Sequence, residues 1–371
     1  MAERSTLKVL HVVGARPNFM KAAPVMRAMA ARPGRFEQRL VHTGQHYDEA
    51  MSQVFFDELG IAPPDENLEV GSGSHAAQTA EIMLRFEPVI EAFRPDWLVV
   101  VGDVNSTMAA TLVASKTRVR TAHVEAGLRS FDRGMPEEIN RLVTDALADL
   151  LLTPSPDADE NLLREGVPAA RIRRVGNVMI DTLAANLDRA RARETPRRMG
   201  LEPRRYVYVT LHRPSNVDER ESLTAIVACL LDVSRRTPVV FPVHPRTRQR
   251  LSDFGLVETL TSAGGVKLVE PVGYLDSISL AAAAACVLTD SGGLQEETTF
   301  LRVPCLTLRP NTERPVTISE GSNRLTALAR LRSDLDEAMQ RRASGAALPC
   351  PALWDGKASE RIADALQQFD T

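Results

Sequence analysis

A chain of 371 residues exceeds the roughly 250–300 at which one hydrophobic core stops growing, so two domains are expected. Hydrophobic residues make up 44% and charged residues 25%, an ordinary globular balance, and a net charge of −3 gives no electrostatic case for nucleic acid or an anionic membrane as partner. The longest apolar run, "LAAAAACVL", is far short of the ~18 residues of a membrane span. Glu3 and Arg4 precede an apolar run that Arg16 and Pro17 cut short, which does not make a signal peptide, so a cytoplasmic protein is expected. Cys229, Cys286, Cys305 and Cys350 form no C-x-x-C pair and read as free, mostly buried thiols.

In chain order, short β-branched runs alternate with stretches of helical spacing. "LKVLHVV" is followed by "GARPNFMK", and a second strand by "HTGQHYD". "WLVVV" leads into "GDVNST", "TAHVE" into "AGLRSFDRGMPEEINR", and "DLLLTPS" closes the first series. Between Arg191 and Arg205 a charged, proline-containing stretch, "RARETPRRMGLEPRR", interrupts the pattern and reads as a solvated linker. "YVYVTLHRPSN", "TPVVFPVHPRTR", "GVKLVEP" and "ACVLTDSGGLQEE" then restart it. Continuous apolar runs joined by helices predict parallel strands, hence an α/β protein of two doubly wound Rossmann-like domains. Ligands of such sheets bind beyond the carboxyl ends of the strands, where this sequence collects His, Arg, Lys and carboxylates, and the two domains are expected to face a central cleft.

Two clusters carry chemistry. After the strand "CVLTD", Ser291, Gly292 and Gly293 open a helix, offering backbone N–H groups and a positive helix end to a diphosphate, with Glu296 and Glu297 behind them able to accept ribose hydroxyls. The bland alternative is that the glycines permit a tight turn and the glutamates complement the helix dipole. No Walker A or G-x-G-x-x-G pattern is present. In the first half, Asp103, Glu125, Glu137 and Glu138 gather at two strand ends with Arg129 and Arg141 as counter-charges. Grouped carboxylates titrate apart and can supply both an acid and a base, although Glu137 and Arg141, four apart on a helix, could equally form a plain ion pair. The seven histidines show one H-x-x-x-H spacing, His42 and His46, across a loop-like "TGQ", so no metal site is expected.

"GARPNFMKAAPV", "TGQHYDEAM", "VGDVNSTMAA", "HVEAGLRSFDRGMPEEINR", "GNVMID", "TLHRPSN" and "TDSGGLQEE" with the later "TERP" together resemble the non-hydrolysing UDP-N-acetylglucosamine 2-epimerases, in order from residue 8 to about residue 325. The resemblance implies the two-domain fold of GT-B type glycosyltransferases. The first domain would comprise 1–178 plus a returning C-terminal helix within 355–371, and the second, nucleotide-binding domain 179–354. It also implies reversible inversion at C2 of UDP-N-acetylglucosamine to UDP-N-acetylmannosamine, a precursor of bacterial-type surface polysaccharides, by elimination of UDP to 2-acetamidoglucal and re-addition. By motif position Asp103, Glu125, Glu137 and His212 would be catalytic. Arg16, Lys21, Arg141, Tyr274, Ser291, Gly292, Gly293, Glu297 and Arg314 would bind substrate. Gln45, His46 and His244 match an activator site of some bacterial members. A homodimer that uses a UDP-sugar and no cofactor is the implied state. The chain departs from the commonest pattern at Asn18, where many members carry glutamate, at Pro214, where many carry a second arginine, at Asp48, where glutamine is usual, and in "GSNRL".

Other readings differ in what they would require. A glycosyltransferase of this fold would need an acceptor groove and has no use for the carboxylates around Glu137. A hydrolysing epimerase often carries a fused sugar kinase, for which this chain has no room. A close relative acts on a UDP-diacetamido-uronate, and of these readings the sequence excludes it least. A nucleotide-sugar sensor would not need several acid/base groups.

Overall fold

The computed structural model describes residues 6–44, 63–262 and 264–369. The chain forms two compact units, Met1–Thr182 with Ala352–Thr371, and Leu183–Pro351.

The first unit is built on a seven-stranded sheet in the order β3-β2-β1-β4-β5-β6-β7. Its strands are β1 (Leu7–Val13), β2 (Phe36–His42), β3 (Glu66–Asn67), β4 (Trp97–Val101), β5 (Arg120–Val124), β6 (Leu150–Thr153) and β7 (Ile172–Arg174). All pair in parallel. All five residues of β4 are buried, because a central strand with helices on both faces has no solvated side. Leu10, Val12, Leu98 and Val100 pack against Phe86, Val89, Ile90 and Val113 of the helices His75–Phe93 and Asn105–Thr117. Each such side chain contributes about 1.5–3 kcal/mol on burial. Chain order reverses between β1 and β4, which is the switch point where an open α/β sheet leaves a crevice.

The helix Ala358–Phe369 belongs to this unit. The buried Asp181 carboxylate accepts from the N–H groups of Ala358 (3.1 Å) and Ser359 (2.7 Å). Trp354 donates to the carbonyl of Pro154 at 3.0 Å, and the rings of Trp97 and Phe369 meet edge to face at 5.2 Å. Gly176, at φ +91°, lies where a Cβ would come within 2.2 Å of the Leu353 carbonyl oxygen, so only glycine allows the returning segment this approach.

The second unit carries a six-stranded parallel sheet in the order β10-β9-β8-β11-β12-β13, formed by β8 (Val207–Thr210), β9 (Val239–Pro242), β10 (Val266–Val269), β11 (Cys286–Thr289), β12 (Cys305–Leu308) and β13 (Asn323–Thr326). The switch point falls between β8 and β11. Two doubly wound parallel-sheet units are therefore present, as the alternation of strand and helix predicts.

The arginine-rich stretch is not merely a solvated linker. Arg193 and Arg198 both reach the Asp276 carboxylate at 2.8 Å, Thr195 donates to the same group, and Leu201 is buried. The charge run hides anchors that only the fold supplies. No described helix is long and apolar enough to cross a membrane.

Candidate active site

In the first unit the loops after β1, β4 and β5 meet at the switch point. Gly14 and Ala15 end β1, and the helix Arg16–Ala30 begins there with proline in its first turn. Arg16 opens that helix, and its side chain lies outside the described part of the structure. Asn18 closes the turn from both sides: its Oδ1 accepts from the N–H groups of Gly14 (3.2 Å) and Ala15 (2.9 Å), and its Nδ2 donates to the Val101 carbonyl at 3.0 Å. An ionised glutamate could accept but not donate, so the departure from the commoner glutamate has a local use.

Lys21 is buried and forms an ion pair with the buried Glu125. Glu125 follows β5 at φ +74°, a left-handed conformation that costs a non-glycine residue energy and recurs at functional sites. Gly102, at φ +69°, passes beside the pair: a Cβ there would stand 2.9 Å from Lys21 Nζ. Asp103 comes next, and Arg141 holds its carboxylate at 2.5 Å.

Arg141 also binds Glu138, at 2.7 Å. Glu138 accepts as well from the N–H groups of Ser130 (2.9 Å) and Phe131 (3.0 Å), so it shapes the loop ahead of its helix, Pro136–Leu147. Burial works to raise its carboxyl, but Ser130 and Arg141 hold it below the usual range. Glu137 is exposed, and among the described residues it has no hydrogen-bond or ion-pair partner. The plain Glu137–Arg141 pair is thus not formed; the arginine goes three residues back and across to β4 instead. Arg129 is a second correction: it serves none of the four carboxylates but pairs with Asp145 (2.7 Å) and Glu165 (2.6 Å).

In the second unit β8 and β11 end side by side. His212, just past β8, places Nδ1 2.9 Å from Asp290, just past β11. Asp290 is fully buried and accepts from the backbone N–H of His212, that of Arg213 and the Asn216 amide. Burial pushes its carboxyl up, but His212 and Asn216 outweigh this and hold it low. Asp290 was not among the residues expected from sequence, although a carboxylate directly ahead of Ser-Gly-Gly was visible there.

Ser291 is the N-cap of the helix Gly292–Leu301, and its side chain makes no capping bond. Neither Gly292 nor Gly293 has positive φ, so a tight turn does not explain them. A Cβ on Gly292 would stand 3.1 Å from Arg314 Nη1, whereas one on Gly293 would meet nothing within 4 Å among the described residues outside its own helix. The helix carries no acidic residue in its first turn, so dipole complementation does not explain the glutamates either.

Glu296 pairs with Arg314 at 2.7 Å. Glu297 is buried, and desolvation together with Glu296 pushes its carboxyl up to about 8. The Tyr274 hydroxyl is buried without a hydrogen-bond partner among the described residues and is raised by burial and by the charge of Glu297. Arg213, Arg309 and Arg314 surround Glu313, which Arg314 and Arg309 hold down at about 2 against the effect of burial. His244 is exposed and caps the helix Pro245–Asp253 by accepting from Arg246 N–H at 3.2 Å, its ring 5.5 Å from that of His212. Burial, His212 and Arg246 lower it. Gln45, His46 and Asp48 lie outside the described residues. Among the described residues no three His, Cys, Asp or Glu side chains gather as a metal site.

The first unit offers a held carboxylate, one unpaired among the described residues and a lysine-paired one, groups that can move protons. The second offers a carboxylate-oriented imidazole and a helix N-terminus beside guanidinium groups, which can receive a phosphate.

The family profile of UDP-N-acetylglucosamine 2-epimerases matches residues 27–367. A UDP-N-acetylglucosamine 2-epimerase of Methanocaldococcus jannaschii is 43% identical over 322 residues, 85% of this chain and 87% of that protein. A UDP-2,3-diacetamido-2,3-dideoxy-D-glucuronate 2-epimerase of Pseudomonas aeruginosa is 40% identical over 369 residues, 98% of this chain and 100% of that protein. The crystal structure of the M. jannaschii UDP-GlcNAc 2-epimerase in complex with UDP-GlcNAc and UDP superposes with a TM-score of 0.84 at 40% identity, covering 98% of this chain and 100% of the other.

Proposed function

The chain belongs to the UDP-N-acetylglucosamine 2-epimerase family, and from that premise we propose that it interconverts UDP-N-acetylglucosamine and UDP-N-acetylmannosamine by eliminating UDP and adding it back. The C2 hydrogen has no adjacent carbonyl to acidify it, so direct removal is too costly. Cleavage of the C1–O bond, with the electron pair leaving on the diphosphate, develops positive charge at C1. A base then takes the C2 proton and the C–H pair becomes the C1=C2 bond of 2-acetamidoglucal. Protonation of C2 from the opposite face and attack of the diphosphate oxygen at C1 complete the inversion.

The observation that carries this reading is the contrast between Glu137, exposed and without a partner among the described residues, and Asp103, held by Arg141 at 2.5 Å. Such a difference in environment separates a base from an acid. Glu125 with Lys21 is the third proton-handling group. His212, oriented by Asp290, would serve the leaving phosphate, and Ser291, Gly292, Gly293 and Arg314 would neutralise it. Glu297 and Tyr274 would take the ribose and base side. His244 with Gln45 and His46 would form the activator site. A cytoplasmic homodimer supplying polysaccharide precursors completes the proposal.

Turnover in heavy water tests it: the epimerised product should carry deuterium at C2. Product with hydrogen alone at C2 would rule the mechanism out. A second reading, epimerisation of a UDP-2,3-diacetamido-uronate, is favoured by the full-length match to the P. aeruginosa relative. Comparing kcat/KM for the two substrates decides between them.

A further inference from the structure

His123 lies on β5 with no exposed surface, and both its ring nitrogens are engaged. Nε2 is 2.8 Å from the carbonyl oxygen of Gly102, and Nδ1 is 2.6 Å from Oδ1 of Asp145. A carbonyl oxygen has no hydrogen to give, so Nε2 carries one. Asp145 is itself buried, and its other oxygen accepts from Gly127 N–H at 3.0 Å and faces Arg129 Nη1 at 2.7 Å. Arg129 is always charged, and its guanidinium against that oxygen keeps the carboxylate ionised. An ionised carboxylate can only accept, so Nδ1 carries a hydrogen as well.

We propose that His123 is a buried imidazolium and a positioning residue, its two N–H groups tying the Gly102 carbonyl on one side and Asp145 on the other. The inference rests on the acid/base reading of Asp103 and Glu125, because those are the residues the two tethers serve. Gly102 directly precedes Asp103, and its own N–H is held by the Val124 carbonyl at 3.1 Å. Asp145 in turn fixes Gly127, two residues beyond Glu125. One ring thereby sets the spacing between the loop after β4 and the loop after β5.

The charges around it close. Arg129 pairs with Asp145 and with Glu165, so His123, Arg129, Asp145 and Glu165 form a neutral quartet. The neighbouring charges pair separately, Lys21 with Glu125, and Arg141 with both Asp103 and Glu138, the last set keeping one net negative charge. A fully satisfied buried network of this kind specifies geometry, while one missing donor would leave a polar group stranded.

The test has two parts. In protein labelled with 15N-histidine at neutral pH, both ring nitrogens of His123 should resonate as N–H, the signal being assigned by its loss in a variant. A bare Nδ1, with Asp145 holding the proton, or a bare Nε2, with the tether to Gly102 lost, would overturn the proposal. The second part uses two substitutions that each keep one donor. Glutamine places its amide near Nε2 and can still reach Gly102; asparagine places its amide near Nδ1 and can reach only Asp145. His123→Asn should lower kcat about 10-fold or more with KM little changed, and His123→Gln should retain most of the wild-type kcat, on the scale of a catalytic group displaced by a fraction of an ångström. Wild-type kcat in both, or an equal loss in both, would overturn positioning through Gly102. A wild-type enzyme that does not epimerise UDP-sugars would instead sink the functional reading, while the ring spectrum would still decide the state of His123.

Discussion

Asp290 grips His212 twice, accepting from its backbone N–H at 3.1 Å and from its imidazole at Nδ1 at 2.9 Å. The double contact fixes both where the loop after β8 starts and which ring nitrogen remains outward. Asp290→Asn leaves one accepting oxygen for the two backbone N–H groups, the Asn216 amide and Nδ1, and turns an amide NH2 towards donors, so the ring loses its orientation. Turnover should fall about 100-fold, the usual scale for a misplaced proton-transfer group, with KM changing much less. Stability should fall by about 1–3 kcal/mol, because buried donors lose their partner. Steady-state kinetics together with urea denaturation check both parts.

Glu297 offers a prediction with a definite sign. Its carboxyl stands near 8 in the folded protein against an ordinary value of 4.5, so the folded state binds the extra proton. The cost to stability is absent below about pH 4.5, grows as pH rises towards 8, and is constant above that. At about 1.4 kcal/mol per unit it reaches about 3–5 kcal/mol. Glu297→Gln should therefore melt higher than wild type at about pH 9 and nearly with it at about pH 4. If ribose hydroxyls donate to the ionised group, wild-type affinity for UDP should rise with pH up to about 8, and the variant should lose most of the stabilisation UDP confers. Melting curves with and without UDP across pH read out both effects.

Gly293 separates a packing role from a ligand role. Beyond its own stretch of helix, no described residue lies within 4 Å of a Cβ placed there, and the residue is helical. Gly293→Ala should stabilise the free protein by about 0.4–1 kcal/mol through the unfolded state, yet weaken UDP binding by roughly 10-fold if a phosphate approaches the helix end. Calorimetric titration with UDP gives the answer, and unchanged affinity would place the phosphates elsewhere.

For the proton-handling groups, Glu137→Gln and Asp103→Asn should each slow epimerisation about 100-fold or more. Glu137 has no partner among the described residues, so its substitution should leave stability nearly unchanged, whereas Asp103→Asn should cost stability by weakening the contact with Arg141. Both variants should release some 2-acetamidoglucal and UDP, because re-addition stalls when protonation fails. Proton NMR of the reaction mixture detects the glucal directly.

What could be read in the chain was whatever local chemistry expresses. Continuous apolar runs marked β1, β4, β5, β8 and β11, since a strand buried on both faces has no polar alternation to disguise it. "CLTL" and "NRLT" did not announce β12 and β13; the second is half polar, with Asn323 and Thr326 buried by partners that only the sheet supplies. In the site, strand-end carboxylates were legible as a group, but their pairing was not. Arg141 chose Glu138 and Asp103 over Glu137, and Arg129 chose Asp145 and Glu165, because those choices depend on contacts across as many as 38 positions. Asp290 and His123 escaped notice for the same reason: each acts on a backbone group brought to it by a neighbouring strand.

The return of Ala358–Phe369 to the first unit sets an order on synthesis. As a ribosome extends the chain, residues 183–351 emerge whole before the first unit has its last helix, so the later unit can finish folding first. Until then Asp181 holds its carboxylate out with no helix end to receive it, and Trp97 lacks the ring that will lie against it. A nascent chain stalled just short of Ala352 would pair a finished second unit with an unclosed first, a species that proteases and holdase chaperones would recognise and the completed protein would never display.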